Sequence, residues 1–163
     1  MINFKIRPLL LSDSTKLLDI INHYVYSTIN FSDKTYDLTN INKLIDTKEE
    51  SPKYLAEINT GEAIGFALAY PFRPEIAFAS AIKFTYWIKP SFTGNGIGST
   101  LYDFMENDCR IKGIKNILVN ISSENSGSIK FHEKRGFDHC GKFTQIGNKF
   151  GKPFDLIWMQ KIL

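Results

Sequence analysis

The chain has 163 residues, of which 43% are apolar and 23% charged, and its 20 basic and 17 acidic residues give a net charge of +3. This length and apolar content predict one domain, residues 1–163, with a single substantial core. The mild charge, without a run of Lys or Arg, argues against nucleic acid or a membrane surface as partner. Because no leader pattern and no apolar stretch of about 18 residues is present, we expect a cytoplasmic protein.

The first half of the chain mixes extended and helical patterns. Alternation before Pro8 predicts a strand, and a stripe containing Leu17 and Ile21 predicts a helix capped by the serines at 12–14. Apolar runs on either side of a short polar turn predict an antiparallel hairpin. In order, the predicted elements are a strand over 3–7, a helix after 12–14, a weaker helix over 40–47, and hairpin strands over 54–58 and 63–70.

The second half contains the more regular succession of elements. A glycine loop at 93–98 separates a strand from an amphipathic helix, and Gly113 is placed to end that helix. The predicted elements are strands over 81–88 and 116–121, a helix over 99–110, a short capped helix ending before Gly136, and strands over 137–143 and 154–162 joined by a loop over 147–153. Cys109 and Cys140 lack metal-ligand spacing, so we expect two reduced thiols and no metal site.

The glycine loop Thr93-Gly94-Asn95-Gly96-Ile97-Gly98 is the strongest functional signal. Glycines at alternate positions leave backbone amides uncovered, and the following helix adds its free amides and positive dipole end, so the pattern favours a phosphate cradle. An ordinary tight turn without a ligand is the alternative. The dinucleotide fingerprint fails because its last glycine position holds Ser99, and a Walker-like spacing from Gly136 ends in Phe143 instead of a hydroxyl residue.

The order of elements and two motifs resemble the GCN5-related N-acetyltransferase (GNAT) family. Its loop motif matches 93–98 except that Thr93 replaces a basic or amide residue. A second motif matches Asn125, Ser128, His132, Gly136 and Phe137, with His132 where many relatives have Tyr. Further segments, at 21–24, 28–31, 98–102, 147–151, 155–156 and 159–160, are similar to the phosphinothricin and methionine sulfone/sulfoximine acetyltransferases. The resemblance implies an α/β fold: a mixed, mostly antiparallel sheet of about six to seven strands flanked by about four helices.

The resemblance also implies a function, namely transfer of an acetyl group from acetyl-CoA to the primary amine of a small, amino-acid-like molecule by direct attack in a ternary complex. It implies a homodimer as well. His132 would be catalytic, protonating the departing sulfur. The implied cofactor-binding residues are Trp87, Ile88, Lys89, Thr93, Gly94, Asn95, Gly96, Ile97, Gly98, Asn125, Ser128 and His132.

The acceptor side departs from the relatives. The implied substrate-binding residues are Phe31, Arg73, Glu75, Phe78 and Lys83. Lys83 stands where close relatives have a Glu that serves as base, and Glu75 stands where at least one relative has Arg. Either the two form an ion pair, or both line the pocket and invert its field. Glu75, Glu124 or a bound water remain open as the base.

Two other functions stay open from the sequence. One is acetylation of a protein or peptide, which an open groove in place of a pocket closed by Phe31, Arg73 and Phe78 would favour. The other is a CoA-binding module of little activity, which the loss of the usual base at Lys83 suggests.

Overall fold

A computed structural model describes residues 2–46 and 51–163. The helices are α1 (Ser14–His23), α2 (Leu38–Ile45), α3 (Ile97–Ile111) and α4 (Ser126–Lys134). The strands are β1 (Phe4–Pro8), β2 (Lys53–Ile58), β3 (Ala63–Pro71), β4 (Ala81–Ile88), β5 (Asn116–Ser122), β6 (Asp138–Lys149) and β7 (Lys152–Ile162). The predicted α/β fold is therefore confirmed, and no helix in these ranges is long and apolar enough to cross a membrane.

All seven strands form one sheet in the order β1-β2-β3-β4-β5-β7-β6. Neighbouring strands are antiparallel except β4 and β5, which are parallel. The parallel pairing covers only residues 81–83 against 116–118 and ends at Lys83 and Leu118. Beyond it, β4 continues to Ile88 and β5 to Ser122 without pairing to each other. The sheet thus has a gap in its centre.

Helices cover both faces of the sheet and bury two apolar clusters. On one face, α1 and α2 contribute Leu17 and Ile41, which pack with Phe66 of β3. On the other face, Leu101 of α3 packs with Ala67, the next residue of the same strand. Successive strand residues point to opposite faces, so a continuous apolar run such as β3 serves both clusters.

The helix after the glycine loop begins and ends at glycines with left-handed backbone. Gly96 has φ of +80° at the N-terminus of α3, and Gly113 has φ of +71° just beyond its C-terminus. The amide of Ile114 donates to the carbonyl of Cys109 at 3.0 Å, which satisfies one of the last free carbonyls. The predicted helix end at Gly113 is confirmed.

Several boundaries differ from those predicted, and two of them involve a helix cap and a proline. α2 begins at Leu38 because the Asp37 side chain accepts from the amide of Asn40 at 2.8 Å and the Asn40 side chain bonds back to the Asp37 amide. The expected end of this helix at 47 lies outside the described residues. β3 includes Pro71, which pairs with Ile82 at the strand's last position although it was expected to lie beyond the strand.

The predicted loop over 147–153 is mostly strand. β6 and β7 meet in a two-residue turn at Phe150 and Gly151, whose φ values of +54° and +74° match the tight hairpin turn that suits the twist of strands. A further residue with positive φ, Gln145, lies at a register shift within β6. The sequence rule missed the turn because Phe150 is not a residue expected at positive φ.

Neither cysteine is in a disulfide, as expected. Cys109 is buried on α3, and burial raises the pKa of its thiol to about 12. Cys140 is exposed on β6.

Candidate active site

A cavity of about 940 Å³ lies at the gap between β4 and β5. Residues 83–88 of β4 and 119–122 of β5 form consecutive parts of its wall. Its remaining wall comes from both faces of the sheet, including Tyr24 and Leu44 on the α1–α2 face and Gly98 and Phe131 on the α3–α4 face. One continuous space therefore joins the two faces, at a volume typical of ligand pockets.

We distinguish two halves of this cavity. The glycine-loop half comprises Thr93, Gly94, Gly96, Ile97, Gly98, Ser99, Asn125, Ser128, Phe131 and His132. The tyrosine half comprises Tyr24, Phe31, Tyr36, Tyr70 and Lys83. Trp87 and Ile88, at the free end of β4, line the space between them.

The glycine-loop half has the form of an anion cradle. Gly94 and Gly96 have φ near +80°, and a Cβ added at either of them or at Gly98 would meet no atom within 4 Å. The first amide in the helical pattern, that of Thr100, donates to the Gly96 carbonyl at 3.0 Å, so the amides of 97–99 have no helical acceptor. Open space against free amides at a helix N-terminus fits a phosphate or pyrophosphate group.

Three other predicted cofactor residues use their side chains in contacts within the protein. Thr93 lines the cavity, and its hydroxyl donates to the Pro90 carbonyl, just before the loop, at 2.9 Å. Asn95 is exposed outside the wall, where its side-chain amide donates to the carbonyls of Thr93 and Phe92 at 3.1 and 3.2 Å. Lys89, also outside the wall, forms an ion pair with Glu62 at 2.5 Å. A role for these side chains in cofactor binding stays a prediction.

The second predicted motif forms the start of α4. The Asn125 side chain accepts from the amide of Ser128 at 3.1 Å and caps the helix. Both residues line the cavity. Because the cap uses only the side-chain oxygen of Asn125, its amide nitrogen can still donate a hydrogen bond to a ligand. The motif thereby orders the helix that carries His132.

His132 is 2% exposed, and its ring has one satisfied and one unsatisfied nitrogen. Nδ1 lies 2.8 Å from the backbone carbonyl of Ser128. Because a carbonyl only accepts, Nδ1 carries the proton and Nε2 carries a lone pair. Nε2 is buried without a hydrogen-bond partner among the described residues. Burial lowers the pKa of His132 to about 4 against the opposing Ser128 hydrogen bond, so the ring is neutral at physiological pH.

Aromatic rings surround His132. Phe131 and Phe137 have ring centroids 5.0 Å from it, and Tyr86 has its centroid at 5.7 Å. The Tyr86 hydroxyl is also buried and unpartnered among the described residues, and burial raises its pKa. Buried polar atoms normally have a hydrogen-bond partner. Two such atoms without a partner beside one cavity therefore fit a site in which a ligand or water supplies the hydrogen bonds.

Lys83 carries the charge of the tyrosine half. It is half-buried, its Nζ lies 5.7 Å from the ring centroid of Tyr70, and burial lowers its pKa. Over residues 2–46 and 51–163 no Asp or Glu lines the cavity, which makes Lys83 its one formally charged wall residue. The same ranges contain no group of three or more His, Cys, Asp or Glu suited to hold a metal ion.

Only one of the other predicted acceptor-binding residues lines the cavity. Phe31 lines the cavity, whereas Arg73, Glu75 and Phe78 lie outside its wall. Glu75 is exposed and pairs with Arg73 at 2.9 Å, so the ion pair with Lys83 that the sequence suggested does not form. The Arg73 guanidinium lies 5.6 Å from the ring centroid of Phe78. A substrate-binding role for this exposed group stays a prediction.

The family model described as "Acetyltransferase (GNAT) family" matches residues 16–137. The chain belongs to the GNAT acetyltransferase family. It is thus an N-acetyltransferase by family, and GNAT acetyltransferases use acetyl-CoA. The resemblance drawn from the sequence is confirmed, together with the α/β fold.

Individual relatives of this GNAT acetyltransferase act on different acceptors by name. The chain is 28% identical to a phosphinothricin N-acetyltransferase of Streptomyces coelicolor (98% of this chain, 96% of the relative) and 30% identical to an L-methionine sulfoximine/L-methionine sulfone acetyltransferase of Pseudomonas aeruginosa (95% and 92%). A solved ribosomal-protein-alanine N-acetyltransferase of Brucella melitensis has a TM-score of 0.90 at 31% identity (98% and 99%). A Salmonella typhimurium protein solved with its cofactor acetyl-CoA has a TM-score of 0.90 at 26% identity (98% and 93%).

Several residues of the GNAT acetyltransferase site were not foreseen from the sequence. The Tyr24 hydroxyl donates to the Ile88 carbonyl at 2.6 Å and fixes the free end of β4. Tyr36 was not singled out at all. Tyr70 was read only as strand, yet it lies opposite Lys83 in the β3–β4 register, so alignment of those two strands would have found it.

The β6–β7 hairpin holds a loop over the tyrosine half. Lys149 is 7% exposed, and its ammonium donates to the backbone carbonyl of Asn30 at 2.6 Å. Phe154 stacks on Phe31 with ring centroids 5.8 Å apart. Since Asn30 and Phe31 both line the cavity, the C-terminal hairpin shapes the acceptor side.

Proposed function

We propose that the protein transfers an acetyl group from acetyl-CoA to the primary amine of a small, amino-acid-like molecule by direct attack in a ternary complex. The observation that carries this proposal is the continuous cavity through the strand gap. On one side of the gap lie the anion cradle and the buried imidazole, and on the other side lies the tyrosine half. Two substrates on opposite faces of a sheet can meet through such a gap. The names of the small-molecule relatives support the acceptor class.

The glycine-loop half has the groups that acetyl-CoA needs. The amides at 97–99 and the open faces of Gly94 and Gly96 would hold the pyrophosphate, and the unpaired edges of β4 and β5 would hold the pantetheine arm. Acetyl-CoA supplies an acetyl thioester, the activated acyl group of the reaction. Free backbone amides near Trp87 would stabilise charge that develops on the acetyl oxygen.

His132 is the proposed proton carrier. No carboxylate lines the cavity over the described ranges, and both Glu75 and Glu124 are exposed outside its wall, which leaves the lone pair of Nε2 as the available acceptor. The ring takes the proton that the attacking nitrogen loses as its new bond forms. With a pKa of about 4, the imidazolium then gives that proton readily to sulfur, whose thiol has a pKa near 8.5. The role expected from the sequence, donation to sulfur, becomes the second half of a shuttle.

A thiol-release assay with acetyl-CoA and a panel of amines tests the proposal. The panel contains amino acids, methionine sulfone, phosphinothricin, polyamines and a peptide with N-terminal alanine. We expect turnover with at least one amino-acid-like amine and with none of the polyamines, because the described part of the cavity wall presents Lys83 and no carboxylate. Binding of acetyl-CoA without turnover of any amine would instead support the weakly active module.

Acetylation of a protein N-terminus is the second candidate, because the Brucella relative with that name is 31% identical. The loop held by Lys149 and Phe154 narrows the acceptor side and favours a small molecule. In the panel, a preference of about tenfold or more in kcat/KM for the peptide over its free amino acid would favour the protein substrate.

We also propose a homodimer. Phe154 and Ile157 of the terminal strand β7 are 8% and 7% exposed, so they are buried within their own chain. Three of the exposed apolar side chains lie close together in sequence at the end of the edge strand β6 and its turn, namely Phe143, Ile146 and Phe150, at 53%, 63% and 65%. An apolar edge strand favours pairing with another chain. Light scattering that finds only the 18.6 kDa monomer at tens of micromolar would exclude this assembly.

A further inference from the structure

Lys83 lines the cavity but has no role in the proposed reaction. It occupies the last position at which β4 pairs with β5, opposite Leu118, so it lies at the closed end of the strand gap. Its neighbours in β4 toward Ile88 border the open part of that gap. A long side chain at this position lies beside the space in which both substrates would meet.

The surroundings of Lys83 differ from those of several other lysines. Lys89, Lys112 and Lys161 each lie within 3 Å of a carboxylate oxygen, which favours the ammonium form. Lys83 has no ion pair or hydrogen bond among the described residues. Its ammonium nitrogen lies over the face of the Tyr70 ring. Partial burial without an anion lowers the pKa of Lys83, so a larger fraction of its side chain is the neutral, nucleophilic amine than in a lysine that pairs with a carboxylate.

We propose that Lys83 is a self-acetylation site: when no acceptor is bound, its amine takes the acetyl group from acetyl-CoA. The Nζ lone pair attacks the thioester carbonyl carbon, the new C–N bond forms as the C–S bond breaks, and the electron pair of that bond leaves with sulfur. The proton lost by Nζ ends on sulfur, giving the free thiol and a neutral amide. This inference rests on the proposed function, because acetyl-CoA must enter the cavity.

Self-acetylation would change the pocket as well as the residue. An amide at Lys83 removes the one formal charge from the cavity wall of the described chain and fills part of the tyrosine half. The modified enzyme would therefore differ from the unmodified one in its preference for charged acceptors. A bound acceptor amine, occupying the same end of the gap, would protect Lys83.

The test is mass spectrometry of the whole chain after incubation with acetyl-CoA alone, followed by peptide mapping. We expect one added acetyl group, located at Lys83 and acquired at least about tenfold faster than at Lys112, because a held nucleophile has a high effective concentration. Lys83→Arg keeps the cation but removes the nucleophile and should lose this modification. Lys112→Arg, on the surface, is the matched control and should keep it.

Two further measurements keep the result clear. Calorimetry with acetyl-CoA establishes that each variant is folded and binds, and the denatured wild-type chain gives the rate of unassisted chemical acetylation. If the protein binds acetyl-CoA and turns over an amine while Lys83 stays unmodified, the self-acetylation inference alone is overturned. Equal labelling of Lys83 and Lys112, or equal rates in folded and denatured chain, overturns it too. Absence of acetyl-CoA binding overturns the proposed function and this inference with it.

Discussion

The two halves of the cavity differ in how the chain builds them. The glycine-loop half comes from two short segments, 93–99 and 125–132, each of which ends a strand region and begins a helix. The tyrosine half takes single residues from the segment between α1 and α2, from β3 and from β4, and depends on a hairpin at the C-terminal end of the chain. The first half is local in sequence and the second is assembled by tertiary contacts.

The two halves would also perform different tasks, one binding a cofactor and the other selecting an acceptor. Binding a pyrophosphate needs backbone amides in one conformation, which a glycine loop and a helix start supply by themselves. Selecting an acceptor depends on which side chains meet in space, and one exchanged charge there changes the outcome. Lys83 and His132 are the residues at which each half can be tested.

The largest expected effect concerns the buried imidazole and stability. His132 has a folded-state pKa of about 4 against an ordinary 6.5, so between these pH values the unfolded chain binds the extra proton and stability falls as pH falls. The loss approaches about 3 kcal/mol at the acidic end of this window. His132→Phe keeps the ring but cannot titrate, so its free energy of unfolding should fall less between pH 6.5 and 4.

Denaturant titrations at several pH values measure this difference. His23→Phe is the matched control, because solvent already reaches that exposed ring in the folded chain. If wild type and His132→Phe lose the same free energy of unfolding over the window, the imidazole is not held neutral by the fold.

Next in size is the effect of His132 on turnover. His132→Ala should lower kcat by about 100-fold or more while acetyl-CoA binding stays nearly intact, because the proton carrier is lost and the cradle is not. Steady-state kinetics with the best amine of the panel and calorimetry with acetyl-CoA provide the two readings. His132→Phe should be as slow as His132→Ala. An unchanged rate in either variant would make His132 a packing residue.

The glycine-loop half can be broken by Gly96→Val. A β-branched residue at φ of +80° strains the backbone, and its side chain occupies the open space of the cradle. Calorimetry should find acetyl-CoA binding weakened by about thirtyfold, or roughly 2 kcal/mol.

Gly61→Val is its matched control. Gly61 has φ of +81° and open space around it, but it lies in the β2–β3 hairpin outside the cavity wall. It should show comparable strain with unchanged affinity for acetyl-CoA. Equal affinities in all three proteins would remove the pyrophosphate from this loop.

The smallest predicted effect tests whether the tyrosine half selects the acceptor through Lys83. Lys83→Glu restores the charge that close relatives have at this position, so kcat/KM on methionine sulfone should rise about tenfold or more, which corresponds to roughly 1.4 kcal/mol. Glu75→Gln is the paired variant and should change little, since Glu75 is exposed and bound to Arg73. No gain in a Lys83→Glu protein that still binds acetyl-CoA would show that Lys83 does not select the acceptor.

The sequence by itself determined the order of elements, the glycine cradle and the position of His132. These features depend on neighbours a few residues apart: periodicity that places one helix face in the core, caps at helix ends, and glycines at positive φ. Local rules therefore predicted the start of α3 to within two residues and predicted its end at Gly113. They failed at the β6–β7 turn, where Phe150 adopts a conformation that local preference disfavours.

Only the tertiary structure decided the acceptor side and the charge states. Lys149 meets Asn30 across 119 residues of chain, and no periodicity records such a contact. The strand gap exists because parallel pairing stops at Lys83, which depends on the packing of both faces. The neutral form of His132 follows from its burial, which outweighs the opposing hydrogen bond to the Ser128 carbonyl. Burial and long-range contact are properties of the folded chain, so they fixed what the residue types alone left open.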